Sequence, residues 1–123
     1  WFDDPGAAAP SWWAARSDQL VGRALSLLHD EPHRPWTLET LAARLSVSRA
    51  TLARRFRLVV GQPPMTYLTQ WRLARAADLL RGSDLAVEQI AHEVGYANAF
   101  AFSTAFKRAH GVSPRAFRQA LTS

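Results

Sequence analysis

Apolar residues recur at helical spacing along most of the chain, and nowhere do they alternate with period two for long enough to make a strand. Leu20, Val21, Ala24, Leu25 and Leu28 form the first stripe, which Pro32 and Pro35 stop. Thr37 is a good N-cap for a short helix carrying Leu38, Leu41, Ala42 and Leu45. Ser48 caps the next, with Leu52, Phe56 and Val59 expected inward and Gly61 at its end. Pro63 and Pro64 open a long helix to about Arg81, with Met65, Leu68, Trp71, Leu79 and Leu80 among its apolar positions. Gly82, Ser83 and Asp84 break it. A short helix near Val87 to Val94, a turn over Gly95 to Asn98, and a helix with Phe102 and Phe106 inward lead to Gly111. Pro114 starts a last short helix. The pattern predicts an all-α fold of about seven helices.

Two parts of this pattern are copies of one design. Leu38-Glu39-Thr40-Leu41-Ala42 matches Val87-Glu88-Gln89-Ile90-Ala91 at an offset of 49, as Leu45 matches Val94 and Val47 matches Tyr96. Past the turn the offset becomes 50, pairing Leu52 with Phe102, Phe56 with Phe106, Gly61 with Gly111 and Pro64 with Pro114. The extra residue falls in the second turn, where an insertion costs least. A short helix, a tight turn and a longer helix make a helix-turn-helix, whose second helix lies in the major groove. Ala42 and Ala91 supply the small residue that lets the two helices cross closely, and Val47 with Leu52, and Tyr96 with Phe102, lock the crossing. The expected architecture is two helix-turn-helix subdomains joined by a long linker helix. Residues 1–16 read as a linker, 17–62 as the first subdomain, 63–82 as the linker helix and 83–123 as the second subdomain.

Charge sharpens the picture. Fifteen basic residues stand against ten acidic ones, a net +5. From Arg44 to Arg75 there are seven arginines (Arg44, Arg49, Arg54, Arg55, Arg57, Arg72, Arg75) and no carboxylate. After Glu93 come Lys107, Arg108, Arg115 and Arg118, again without a carboxylate. Two separated basic blocks point to a polyanion held at two places. The absence of cysteine excludes disulfides, thiolate metal sites and cysteine nucleophiles. No stretch reads as a signal peptide or approaches the ~18 apolar residues of a membrane span, so a cytoplasmic protein is expected. The first residue is Trp1, which reads as the start of a fragment.

The segments WTLETLAARLSVSRATLARRFRLVVGQPP and VEQIAHEVGYANAFAFSTAFKRAHGVSPRAFR resemble the DNA-binding domain of AraC/XylS-type transcription regulators, over about residues 20–121. Within the second, Ile90-Ala91, Gly95-Tyr96, Phe102-Ser103, Phe106-Lys107-Arg108, Gly111 and Ser113-Pro114 are the most diagnostic. The resemblance implies two helix-turn-helix subdomains that bind adjacent major-groove segments on one face of double-stranded DNA, at an operator or promoter. It also implies a sensory or dimerisation domain ahead of this chain, which would carry any effector ligand. The run PPMTYLTQWRLARAADLL looks like the branch whose sensory domain is a cupin barrel.

With Leu52, Phe56 and Val59 inward, Arg49, Ala50, Ala53, Arg54 and Arg57 share the opposite face of their helix. Ala50, Ala53 and Arg54 match the family's base-reading sites, and Arg49 precedes them. Arg54 is the first candidate, since the arginine fork fits guanine O6 and N7; the alternative is a solvated arginine. On the second recognition helix, Ala99, Phe100, Ser103 and Thr104 are the base-contact candidates, with Lys107 further along. Here the sequence departs from the family, many members of which carry polar or arginine side chains at Ala99, Phe100 and Thr104. Phe100 and the Thr104 methyl suit a thymine methyl; core packing is the other reading of Phe100. Thr37, Ser48, Arg57, Lys107, Arg108 and Arg115 are the phosphate-contact candidates, and the helix N-termini near Thr37 and Val87 offer backbone N–H groups. Arg55 lies toward the flank, where packing or a salt bridge suits it better.

An enzyme is the first competing class. His29 and His33 bracket Asp30 and Glu31, but Pro32 breaks the helix that would put both imidazoles on one face. No Gly-rich phosphate loop, catalytic carboxylate pair or nucleophile motif is present, so neither an enzyme nor a cofactor is expected. The second competitor is a helical protein-interaction module that contacts RNA polymerase and binds DNA only nonspecifically.

Overall fold

A computed structural model describes residues 11–122. Seven helices follow one another among them: α1 (Ser11–Asp30), α2 (Leu38–Arg44), α3 (Arg49–Val60), α4 (Pro64–Gly82), α5 (Val87–Glu93), α6 (Ala99–His110) and α7 (Pro114–Thr122). Of the stretch expected to be a linker, residues 1–10 lie outside the described residues, while Ser11 onward is already helical. Of the described residues, 11–30 and 36–67 form one compact unit, and 31–35 with 68–122 form the other. The division falls inside α4, after Tyr67.

In unit 1, α1 buries Leu20, Val21, Ala24 and Leu28 against a core completed by Trp36, Leu41, Ala42, Leu45, Leu52 and Phe56. The local signals act where the pattern places them. The Thr37 hydroxyl accepts the Thr40 N–H at 3.0 Å, and Thr40 Oγ1 in return accepts the Thr37 N–H at 2.8 Å, a reciprocal cap. Gly61 closes α3 in the left-handed conformation, φ 92°, its N–H donating to the Arg57 carbonyl. Pro64 then starts α4 and is fully buried. The inward edge of α3 differs from the expectation in one place: Val59 is 45% exposed, and Val60 turns partly inward instead. From Phe56 a stripe can advance by three or four residues, and periodicity alone does not choose between them.

In unit 2, Leu73, Ala76, Ala77 and Leu80 of α4 take the part that α1 plays in unit 1. They pack with Ile90, Ala91, Val94, Phe102 and Phe106, and Tyr96 and Phe117 lie against the cluster. Val21, Ala24 and Leu28 match Leu73, Ala76 and Leu80 at an offset of 52, so the repeat is a three-helix unit. The sequence pattern had picked Met65, Trp71 and Leu79 on α4, all only partly buried; the small residues Ala76 and Ala77 are what the core holds.

The turn between short and long helix has one geometry in both units. Ser46 N–H donates to Ala43 O and Val47 N–H to Ala42 O, both at 3.1 Å; Gly95 N–H donates to His92 O at 3.1 Å and Tyr96 N–H to Ala91 O at 2.8 Å. This is a Schellman closure, which needs a left-handed residue at its corner. Ser46 (φ 58°) and Gly95 (φ 95°) are those corners, paired by the offset of 49. Glycine is required at the second for a further reason. A Cβ on Gly95 would strike the Pro32 carbonyl oxygen and approach the Arg72 guanidinium to 2.8 Å.

The two corners should therefore respond oppositely. Gly95→Ala is expected to lose about 2 kcal/mol or more, from left-handed strain and the collision together. Ser46→Gly, which relieves the strain and adds only chain entropy, should leave stability within about 1 kcal/mol of the parent or raise it. Urea denaturation followed by circular dichroism measures both; equal losses at the two sites would refute the shared-corner account.

Candidate nucleic-acid interface

The second helix of each helix-turn-helix carries the candidate surface. In unit 1 the Ser48 hydroxyl accepts the Thr51 N–H at 3.1 Å and donates to Thr51 Oγ1 at 2.9 Å, fixing the start of α3. Leu52 and Phe56 are fully buried on the core side. The opposite face brings together Arg49, Ala50, Arg54 and Arg57, all exposed, with Ala53 half-buried at its edge. Neither of the two ion pairs found among the described residues, Arg34–Glu31 and Arg81–Asp78, involves an arginine of this face. A row of exposed guanidinium groups without carboxylates is suited to a polyanion, and the arginine fork to guanine. Arg55 is half-buried on the flank, as expected.

In unit 2 the Asn98 side-chain oxygen accepts the Ala101 N–H at 2.8 Å and caps α6. Sequence reasoning placed Asn98 in the turn and overlooked this role, although asparagine before a helical stripe is a capping signal. Phe102 and Phe106 are buried, and the ring of His110 stacks on Phe106 with centroids 4.3 Å apart. Phe100 does not pack in the core: it is 81% exposed. Thr104 is exposed beside it, its hydroxyl donating to the Phe100 carbonyl at 2.9 Å, and Ala99 and Ser103 are half-buried on the same side. Lys107, Arg108 and Arg115 are exposed and belong to neither ion pair. Thr37 and Ser48 are also exposed, but their hydroxyls accept the cap N–H groups and donate to Thr40 and Thr51 Oγ1, so donation to a phosphate would have to share or divert that proton. At α5, Gln89 Oε1 accepts the Ala86 N–H at 2.9 Å.

Two arginines of the basic blocks have a different task. Arg118 reaches back to the end of α4 and donates to the carbonyls of Leu80 (3.2 Å), Ser83 (3.0 Å), Leu85 (2.6 Å) and, at 3.5 Å, Leu79. All lie at a helix C-terminus or in the loop beyond it; Leu79 O also accepts the Ser83 N–H and hydroxyl, and a cation at that end meets the negative end of the helix dipole. Arg72 donates to Pro32 O at 3.0 Å and Arg34 O at 2.8 Å, tying the 31–35 segment to unit 2. Burial holds the Arg72 guanidinium below its ordinary pKa, partly offset by Tyr96. The same burial pushes the Tyr96 phenol up, partly offset by Arg72. Neither arginine is part of the exposed row on α3.

His29, a candidate ligand in the enzyme reading, hydrogen-bonds the Tyr67 hydroxyl through Nε2 at 2.7 Å. Among the described residues no group of three His, Asp or Glu side chains converges as a metal site would require, and no helix is long and apolar enough to cross a membrane.

Comparison with known proteins agrees with this geometry. A family model described as a helix-turn-helix domain matches residues 41–120. An AraC-like transcription regulator of Streptomyces lividans is 46% identical over 112 residues, covering 91% of this chain and 37% of that protein. The HTH-type transcriptional regulator AlkR of Acinetobacter baylyi is 42% identical over 118 residues, covering 96% of this chain and 37% of that protein. The chain thus spans little more than a third of the length of these curated relatives. Among solved structures, the C-terminal domain of AraT, a response regulator from Geobacillus stearothermophilus, is similar with a TM-score of 0.79 and 37% identity, over 82% of this chain and 84% of that one. The DNA-binding domain of AdpA, a global transcriptional factor solved in complex with a target DNA, is similar with a TM-score of 0.77 and 35% identity, over 81% of this chain and 90% of that one.

The split between structural and outward arginines can be measured with the charge held constant. Arg118→Lys keeps the net charge but not the fork, and is expected to lose about 2–3 kcal/mol of stability. Arg115→Lys on the exposed side should change it by no more than about 0.5 kcal/mol. Equal stability of the two variants in urea titrations would contradict the clamp assigned to Arg118.

Proposed function

The chain belongs to the AraC/XylS-type helix-turn-helix transcription regulators, and from that membership we propose that it is the sequence-specific DNA-binding module of such a regulator. The observation that carries this reading is the outward face of α3, where Arg49 and Arg54 stand exposed and outside both ion pairs, on the second helix of a helix-turn-helix. On this reading α3 and α6 enter adjacent major-groove segments of double-stranded DNA at an operator or promoter. Arg54 is the anchor of base recognition through guanine O6 and N7, with Arg49, Ala50 and Ala53 shaping the contact around it. Arg57, Lys107, Arg108 and Arg115, with the cap residues Thr37 and Ser48, hold phosphates; these contacts orient the module and supply most of the salt dependence. Ala99, Phe100, Ser103 and Thr104 form the base-facing surface of α6. No catalytic step or cofactor belongs to this role, and action on chromosomal DNA places the protein in the cytoplasm. A sensory domain of the cupin type ahead of the chain would carry any effector site.

One observation supports contact with a protein such as RNA polymerase in addition. Leu58 and Val59, 46% and 45% exposed, lie side by side at the end of α3, where an apolar pair has nothing to gain from phosphates. On that reading a Leu58→Ser/Val59→Ser variant keeps its DNA affinity while losing regulated transcription from a reporter. Loss of both together would assign the pair to the fold or to DNA.

Selection from a random duplex library tests the main proposal. The expected result is a motif of two short blocks centred about one helical turn apart. Arg54→Ala should relax one block and weaken the selected duplex by about 1–3 kcal/mol. Lys107→Ala should weaken selected and scrambled duplexes alike, and reduce the slope of log affinity against log salt by about 0.9. Equal affinity for selected and scrambled duplexes would reduce the module to a nonspecific binder.

A further inference from the structure

The recognition helix of unit 2 differs in chemical kind from that of unit 1. Its first basic residue is Lys107, two turns in, whereas α3 begins at Arg49 and carries Arg54 on the next turn. Phe100 and Thr104 stand four residues apart and are therefore neighbours on the helix surface, with Ala99 and Ser103 alongside. Phe100, at 81%, is the most exposed large apolar side chain among the described residues. The Thr104 hydroxyl donates to the Phe100 carbonyl at 2.9 Å, which commits its proton within the helix and leaves the γ-methyl, with the oxygen as an acceptor only, to meet a ligand. The Asn98 side-chain oxygen is likewise committed, to the Ala101 N–H. The face that remains is an aromatic ring, two methyl groups from Ala99 and Thr104, the Thr104 oxygen as an acceptor only, and the Ser103 hydroxyl.

Such a face makes little use of the donors and acceptors on base edges. Among the groups that base pairs display in the major groove, one is apolar, the C5-methyl of thymine. An exposed ring gains by excluding water from another apolar group. We propose that α6 reads pyrimidine C5-methyl groups, with Phe100 as the specificity-determining residue and the Ala99 and Thr104 methyls completing the contact. The proposal rests on the DNA-binding reading above and adds the chemistry that the second half of the binding site must present. Thymine is then distinguished from cytosine chiefly by its methyl, so 5-methylcytosine is accepted where cytosine is disfavoured. The two halves of the site are read by different forces: charge-assisted hydrogen bonding at α3 and apolar contact at α6.

The test uses the 123-residue chain and its selected duplex, with the α6 block identified as the one that Arg54→Ala leaves intact. Thymines of that block are replaced by deoxyuridine, which removes the methyl and preserves every Watson–Crick group. Binding is expected to weaken about fourfold for each contacted methyl, the factor that burial of one such group carries. Phe100→Ala should fold normally by circular dichroism and bind the thymine and deoxyuridine duplexes equally. At the same positions, 5-methylcytosine should bind more tightly than cytosine. A preserved preference for the selected over the scrambled duplex, without any deoxyuridine effect, overturns the methyl-reading proposal while the DNA-binding reading stands. A deoxyuridine effect that persists undiminished in Phe100→Ala assigns the methyl to duplex deformability and also overturns it. Loss of all preference for the selected duplex overturns the sequence-specific reading on which the proposal rests.

Discussion

A seven-residue helix has too few internal hydrogen bonds to persist alone, and each unit of this protein is built on one. What holds α2 and α5 in place is the corner that follows them. The N–H three residues past the helix end folds back onto the carbonyl of a buried alanine, Ala42 in one unit and Ala91 in the other. That closure requires a left-handed residue at the corner and a side chain no larger than a methyl at the crossing. Once both conditions hold, Leu52 and Phe56, or Phe102 and Phe106, are delivered into the core, and the opposite face of the longer helix is necessarily presented outward. The recognition surface is thus a consequence of the corner.

Arginine performs several distinct tasks among the described residues, and chemistry alone does not assign them. The fork that suits guanine also suits a pair of backbone carbonyls, and Arg118 and Arg72 use it in that way. Arg44 and Arg81 instead lie over the rings of Trp36 and Phe117, at 5.8 and 5.3 Å from the centroids. The residues left outward, with Arg49 and Arg54 foremost, form the exposed row proposed to face DNA. Net charge therefore overstates the surface available to DNA.

The two copies have diverged on the face that geometry leaves free and remained alike on the face that geometry constrains. Leu41 and Ile90, Leu45 and Val94, Pro64 and Pro114 are interchangeable fillers of equivalent buried places. Arg49 and Arg54 of α3 have no counterpart in the first two turns of α6, where Phe100 and Thr104 occupy the surface.

Signals that act within a few residues were legible before any coordinates: the caps Thr37 and Ser48, the left-handed ends Gly61 and Gly111, the starts at Pro64 and Pro114, and the repeat that pairs the two units. Each depends on a backbone group one turn away, so a linear pattern carries it. Helical periodicity also separated the buried Leu52, Phe56, Phe102 and Phe106 from the outward row. It put Val59 inward, where the structure exposes it, and left Phe100 open, because an apolar residue at the edge of a stripe satisfies the pattern whether it faces core or solvent. Nor did it find Arg118 or Arg72, whose partner carbonyls lie more than 30 residues away. By itself the sequence determined the helices, their repeat and the family, all of which follow from local chemistry. Only the tertiary structure decided which arginines hold the fold and which apolar side chain remains in water, because those outcomes depend on groups that meet only once the chain has packed.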